Sequence, residues 1–531
     1  MKRVEPARSQ AYSAWSASSS AEAPKGAALF AFGDFGVLDL DTLETSAIPW
    51  SVVSAALALR EAGNAPDRVE ASAVERALKR FGFLFPERIA GHEDLKPTPG
   101  IPLGLSIGRI ERSFPPIQVT AANLGCAACH AGTAYSADGT PNPGLAVLAT
   151  PNTSLNLEAF ARSAYDAMKS ALSSEEALLA AIDRLYPQMT MRERLTLRWM
   201  VLPKARSRIG ALATGIDRPL PFPNGAPGLT NGAAALKYLL GVTPRDRFQP
   251  APSFVSIPEL GDRFFRSALL ADGAYAPKNQ PRFRPIARAE AEARDPHDFA
   301  AIASFFTVPS MGMTPARAEA AIPDFVEVMR FLRDYRPPRF PGTIDRALAA
   351  RGRDIYAREC ASCHGTYDVS FDAPRLVLFP NWAGNVGTDR SRVTAIDDAT
   401  IAVVAKTVYA KRYMDPAATG ITAAPLLTGV WASAPYFVNG SVPTLRHLLE
   451  PDSRPVRFMV GGHRLDLARV GIAGTLQVDG SWVYPEGYAP YSTPALIDTT
   501  QPGHSNRGHE AEVRSLTADE RDALLEYLKL L

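Results

Sequence analysis

Cysteine is scarce: the 531 residues contain four. All four sit in two short motifs, so none remains for a structural disulfide, and apolar cores rather than covalent staples must hold the fold. Charge of one sign is also missing. Lys and Arg total 57 against 55 Asp and Glu, a formal net charge of +2, which makes no electrostatic case for nucleic acid or an anionic membrane surface. No apolar run reaches the roughly 18 residues a transmembrane helix needs. The N-terminus is basic but lacks the apolar stretch of a secretory signal. Its first apolar run, 27–40, is broken by Gly33, Asp34, Gly36 and Asp39. Beyond the two cysteine motifs there is no internal repeat.

What is present fits an ordinary globular chain, with 46% hydrophobic and 21% charged residues. The length exceeds what one core supports, so two or more domains are expected. The 45 prolines and 38 glycines predict many loops between helices.

The two motifs are Cys126-Ala127-Ala128-Cys129-His130 and Cys360-Ala361-Ser362-Cys363-His364. C-x-x-C-H is the attachment pattern of haem c. Two intervening residues let one helical turn present both sulfurs to the porphyrin edge for thioether formation. The next residue, His, then lies under the iron as its proximal ligand. A thioredoxin-like redox pair would need a strand–helix–strand context, and a zinc site would need further cysteines or paired histidines nearby. Neither is visible. The motifs therefore predict two covalently bound haems c, on Cys126, Cys129 and His130 and on Cys360, Cys363 and His364. Attachment of this kind belongs to an oxidising compartment outside the cytosol, so a periplasmic or secreted location is expected.

One motif lies in each half of the chain, and the simplest architecture is mainly α: two cytochrome c-like haem lobes with long loops and few short strands. The Pro-rich break at 336–342 suggests the boundary. This predicts an N-terminal segment, 1–30, that is disordered or processed, a first haem domain with extensions, 31–338, and a second haem domain, 339–531. Apolar spacing predicts helices at 47–63, 71–83, 155–172, 175–186, 191–208, 229–240 and 322–335. A helix at 343–359 would lead straight into the second motif. Thr517 and Glu520 form a capping box before a last helix carrying Leu524, Leu525, Leu528 and Leu531.

Which iron is open decides function. With both axial positions filled a haem transfers electrons; with one open it can bind oxygen or peroxide. In the second half the candidate distal ligands are Met414, His447, His504 and His509. In the first, no His or Met follows His130 until Met168, and the nearest upstream histidine is His92. The first haem is the better candidate for an open site.

The stretch 424–445, APLLTGVWASAPYFVNGSVPTL, resembles a signature of the dihaem cytochrome c peroxidase superfamily, in the branch that holds the bacterial rubber oxygenases. The stretches from Arg454 to Gly461 and around Gly508-His509-Glu510, and the residues flanking the first motif, are similar to that branch too. The resemblance implies His509 as distal ligand of the second haem, so the metal ligands become His130, His364 and His509. It further implies a peroxidase- or oxygenase-like oxidoreductase acting on peroxide, oxygen or an apolar substrate, with a small cytochrome or cupredoxin as redox partner. Two departures stand out: Val438 replaces a family histidine, and Gly261 replaces an aromatic that often stands between the haems. Trp382 and Trp431 are candidates for that bridge. The alternative is a pure electron-transfer cytochrome with both haems six-coordinate. Calcium between the lobes is a further cofactor the sequence leaves open.

Overall fold

The computed structural model describes residues 8–19, 24–33, 35–370 and 373–531. Helices take 41% of the residues and strands 15%. The strands are short, and among the described residues they form eight small sheets.

Most helices start at side-chain caps that the sequence supplies. Asn156 accepts from Ala159 N ahead of Leu157–Ala171, and Asp345 accepts from Leu348 N ahead of Arg346–Glu359. Thr517 and Glu520 form the reciprocal capping box before Ala518–Leu528. The helix expected at 191–208 is interrupted. Met191–Thr196 passes into a π-helical turn, Leu197–Val201, and resumes as Leu202–Thr214. Pro203 is the physical reason: it has no N–H to close the α-helical bond back to residue 199, so the turn widens ahead of it.

Two cores organise the molecule. One runs from Ala11 to Met414, and the other gathers Leu229, Trp431, Phe458 and the C-terminal leucines. A smaller cluster, including Trp50, Phe83, Leu105 and Ala128, backs the first motif. The expected boundary at 338/339 does fall between helices Ile322–Asp334 and Arg346–Glu359, but the core does not break there. Strand Met414–Pro416 pairs with Tyr275–Pro277, and Leu376–Phe379 pairs with Ile286–Ala287. Segments from the second half thus complete the first core. The N-terminal segment also departs from expectation over its described part. Gln10–Ser18 and Lys25–Phe32 are helices, and Tyr12 and Trp15 are buried. Residues 1–7 and 20–23 lie outside the described residues.

Helix Arg346–Glu359 crosses the last helix, Ala518–Leu528, at Gly352. A Cβ there would stand 1.9 Å from the Ala523 carbonyl oxygen, so the crossing requires glycine. Alanine would gain about 1 kcal/mol of helix propensity, but it would force two backbones apart against an overpacking cost of about 3 kcal/mol. Gly352→Ala should therefore lower stability by about 2 kcal/mol in urea denaturation, despite being the better helix former.

Candidate functional site

The first motif is entered from a strand, not a helix. The hairpin Leu105–Arg112 and Ile117–Leu124 pairs from Leu105↔Leu124 to Arg112↔Ile117 and feeds through Gly125 into the short helix Cys126–His130. Gly104, at φ +76°, lets the chain pass under that helix, where a Cβ would meet Ala128 N at 1.8 Å. The second motif follows helix Arg346–Glu359, as expected, and forms the single turn Ala361–His364.

Both motifs face one cavity of about 1870 Å³. Its walls carry all four cysteines, His130, His364 and His509. None of the four cysteines is in a disulfide. Burial pushes Cys126, Cys129 and Cys360 up to about 12, and Cys363 upward as well. A redox pair of the thioredoxin kind works through a lowered thiol, the opposite direction.

The two motif imidazoles are anchored alike. His130 Nδ1 lies 3.1 Å from the Pro258 carbonyl oxygen, and His364 Nδ1 lies 3.0 Å from that of Pro425. Each ring thus donates Nδ1–H to backbone and keeps Nε2 for a metal, the arrangement usual for ligating histidines. Burial pulls His130, His364 and His509 down to about 4, which holds them in the neutral form that ligates.

The sites differ beyond the anchor. The His364 and His509 rings face each other with centroids 6.2 Å apart and planes 27° apart. Two imidazole nitrogens sharing one metal at about 2 Å each place their ring centres about 6 Å apart. Among the described residues no imidazole makes a ring contact with His130. Met414 is buried in its strand pair, His447 bonds Thr444 Oγ1 through Nδ1 at 2.8 Å, and His504 stacks on Phe254 at 4.6 Å. His92 packs on Phe331, and Met168 lies on the cavity wall. Of the candidates, the structure brings only His509 to His364.

His509 is held in a left-handed conformation, φ +63°, a geometry that costs a non-glycine residue about 1–2 kcal/mol. Arg454 over-determines it. The buried guanidinium donates to the carbonyls of Asn506 and Gly508 on the His509 loop and to those of His447 and Leu448. It also pairs with Glu510 at 3.1 Å and covers the Phe437 ring that stacks on His509. Sequence inspection singled out the stretch from Arg454 but not this role, nor the Pro258 and Pro425 carbonyls.

The residues fit haem. Both motifs line one large cavity, a second imidazole stands at metal-bridging distance, and the Arg263 guanidinium on the wall, whose Nε has no hydrogen-bond partner, suits a propionate carboxylate. Burial raises Glu259, the residue after Pro258, to about 7 against the pull of Arg263. Trp382 lines this cavity, whereas Trp431 bonds the Pro338 carbonyl and borders a separate cavity of about 70 Å³. Among the described residues no group of three or more His, Cys, Asp or Glu could hold a further metal ion, and no helix is long and apolar enough to cross a membrane.

Two histidines off the cavity set an acid limit. Burial lowers His447 and His463 to about 4, with Arg469 and Arg454 adding to the shift at His447. Their unfolded pKa is near 6.5, so between about pH 6.5 and 4 the unfolded chain binds more protons and stability falls with pH. Each should cost about 3 kcal/mol by pH 4. Urea midpoints measured from pH 7 to 4 should drop steeply, and less so in His463→Gln.

Comparison with known proteins agrees over part of the chain. The chain is 31% identical over 241 residues to the uncharacterized protein y4iM of Sinorhizobium fredii (strain NBRC 101917 / NGR234), covering 38% of this chain and 52% of that protein. It is 29% identical over 262 residues to the uncharacterized protein y4iJ of the same strain, covering 37% of this chain and 41% of that protein. The chain thus spans about half the length of the curated relatives it matches. Residues 422–459, from just before the Pro425 anchor to just past Arg454, match the family described as RoxA-like, cytochrome c-like, and that segment supports a haem-binding cytochrome c of the rubber-oxygenase-like kind.

Proposed function

We propose that the protein is a dihaem c-type oxidoreductase in which the His130 site takes peroxide or oxygen and the His364–His509 site relays electrons. The asymmetry of the rings carries this reading: His364 faces a second imidazole at 6.2 Å and His130 faces none among the described residues. Haem at these motifs supplies an iron that can bind the oxidant and a couple that can pass electrons. The chain does the rest. Pro258 and Pro425 fix the tautomer and plane of the proximal rings, and His509 closes the second site to exogenous ligands. The apolar walls keep water out, which strengthens every charge interaction inside. A small cytochrome or cupredoxin is the proposed redox partner, and the periplasm or the cell exterior the proposed location.

The shape of the cavity favours an apolar substrate as the target of oxidation. Met200 and Ile216 line the cavity and are also exposed, 44% and 48%, so it reaches the surface between apolar side chains. Met191, Leu195 and Trp199 continue an exposed apolar stripe at helical spacing beside that opening.

Electron paramagnetic resonance of the oxidised protein tests the proposal. One high-spin and one low-spin haem signal are expected, with carbon monoxide shifting the reduced spectrum of one haem. Two low-spin signals and no shift would leave a pure electron carrier. Oxygen uptake with a polyisoprene, set against peroxide turnover with a reduced small cytochrome, separates the oxygenase from the peroxidase.

A further inference from the structure

Strand Ala131–Tyr135 leaves the first motif directly after His130 and ends on Tyr135, at most about 17 Å along the chain from the proximal ligand. There the phenol Oη meets His463 Nε2 at 3.4 Å, from the other half of the sequence. His463 is 2% exposed, and its Nδ1 has no hydrogen-bond partner. The loop carrying it is braced by aromatics. Tyr484 Oη donates to the Gly461 carbonyl at 2.7 Å and Tyr488 Oη to the Gly462 carbonyl at 2.6 Å. Gly462 N donates to Ser154 Oγ at 2.9 Å, which bonds Tyr491 Oη at 2.8 Å. Tyr135, Tyr491 and Trp431 border the 70 Å³ cavity. A histidine with one unpartnered nitrogen, aimed through the other at a phenol and held rigidly on both sides, is more than interlobe packing demands.

We propose that Tyr135, with His463 as its proton acceptor, is a one-electron oxidisable site that draws oxidising equivalents away from the His130 site. This rests on the reading of that site as one that reacts with peroxide. The oxidant is the metal centre at His130 after oxidation by hydrogen peroxide. One electron passes from Tyr135 to that centre, which is reduced by one equivalent. The Tyr135 O–H bond breaks and its proton moves to His463 Nε2, leaving a neutral phenoxyl and an imidazolium. An electron from an external reductant and return of the same proton restore the phenol. Burial keeps the Tyr135 phenol protonated and His463 neutral until the electron leaves; the oxidised phenol is then a far stronger acid than imidazolium, so the proton follows the electron. The neighbouring Tyr484 and Tyr488, with rings 5.7 Å apart, offer the next steps toward the surface.

The test is freeze-quenched electron paramagnetic resonance of the full haem-loaded chain after stoichiometric hydrogen peroxide. A tyrosyl signal is expected that narrows with ring-deuterated tyrosine, disappears in Tyr135→Phe and is lost or short-lived in His463→Gln. In both variants the haem spectrum should stay unchanged. A haem spectrum that responds to peroxide with no tyrosyl signal, or with a signal that persists in Tyr135→Phe, overturns this inference and leaves the proposed function standing. If neither haem responds to peroxide, the proposed function fails on its own. The pair is then read with photogenerated ruthenium(III) tris-bipyridine as the one-electron oxidant: a radical lost in Tyr135→Phe upholds the oxidisable pair, and none in the wild type overturns it.

Discussion

Replacing Cys360 and Cys363 together by serine is expected to remove one covalently bound haem, leaving a denatured protein that carries one where the wild type carries two. Serine keeps the volume of the turn Ala361–His364 but cannot form a thioether, so only His364 and His509 would hold the group. Imidazole ligation alone is reversible on unfolding, and thioether bonds are not. Mass spectrometry after acid denaturation reads the difference directly. The matching pair at Cys126 and Cys129 should behave the same way at the other site. A wild-type mass with no added porphyrin at all would remove the basis of the proposed function. The wall common to all four sulfurs, and thiols that burial pushes up to about 12, leave these cysteines little other chemistry.

The second large effect is expected at His509. His509→Gly should convert the low-spin haem to high-spin and let carbon monoxide bind at both reduced sites. The substitution separates ligation from folding. Glycine relieves a left-handed residue at φ +63°, worth about 1 kcal/mol, so the fold should hold or gain while the ligand is lost. Added imidazole should restore the low-spin signal. Arg454→Gln approaches the same loop from the other side. It removes the donor to four carbonyls and the pairing with the partly exposed Glu510, and leaving buried carbonyls without a donor costs about 1–3 kcal/mol. His509 stays in the chain, so a mixture of high- and low-spin forms at the second site would identify Arg454 as its positioning residue. Retention of the pure low-spin signal in His509→Gly would assign the sixth ligand elsewhere.

Helix positions read from apolar spacing agree with the structure to within a few residues at Leu157–Ala171, Ile322–Asp334 and Ala518–Leu528, because each carries its apolar stripe within its own span, and the first and last also have side-chain caps at Asn156 and Thr517. At residues 191–208 the expected helix is present, with one π-helical turn ahead of Pro203 that spacing does not record. Pairing across the expected domain boundary lies beyond such local reading. The Pro-rich break at 336–342 is local, whereas the pairing of Met414–Pro416 with Tyr275–Pro277 that crosses it joins segments more than a hundred residues apart.

The sequence by itself determined the attachment chemistry to be expected, since two cysteines and a histidine within five residues meet on one helical turn whatever surrounds them. It also excluded a disulfide framework and a long apolar span. His509 was implied by resemblance, but the tertiary structure alone decided that its ring faces His364, which carbonyls orient the two imidazoles, and that both motifs open into one cavity. Those contacts are between residues 61 to 145 positions apart or more, and no local periodicity records them. Only the packing of the two cores and the bracing of a strained loop by Arg454 bring such distant positions to bonding distance.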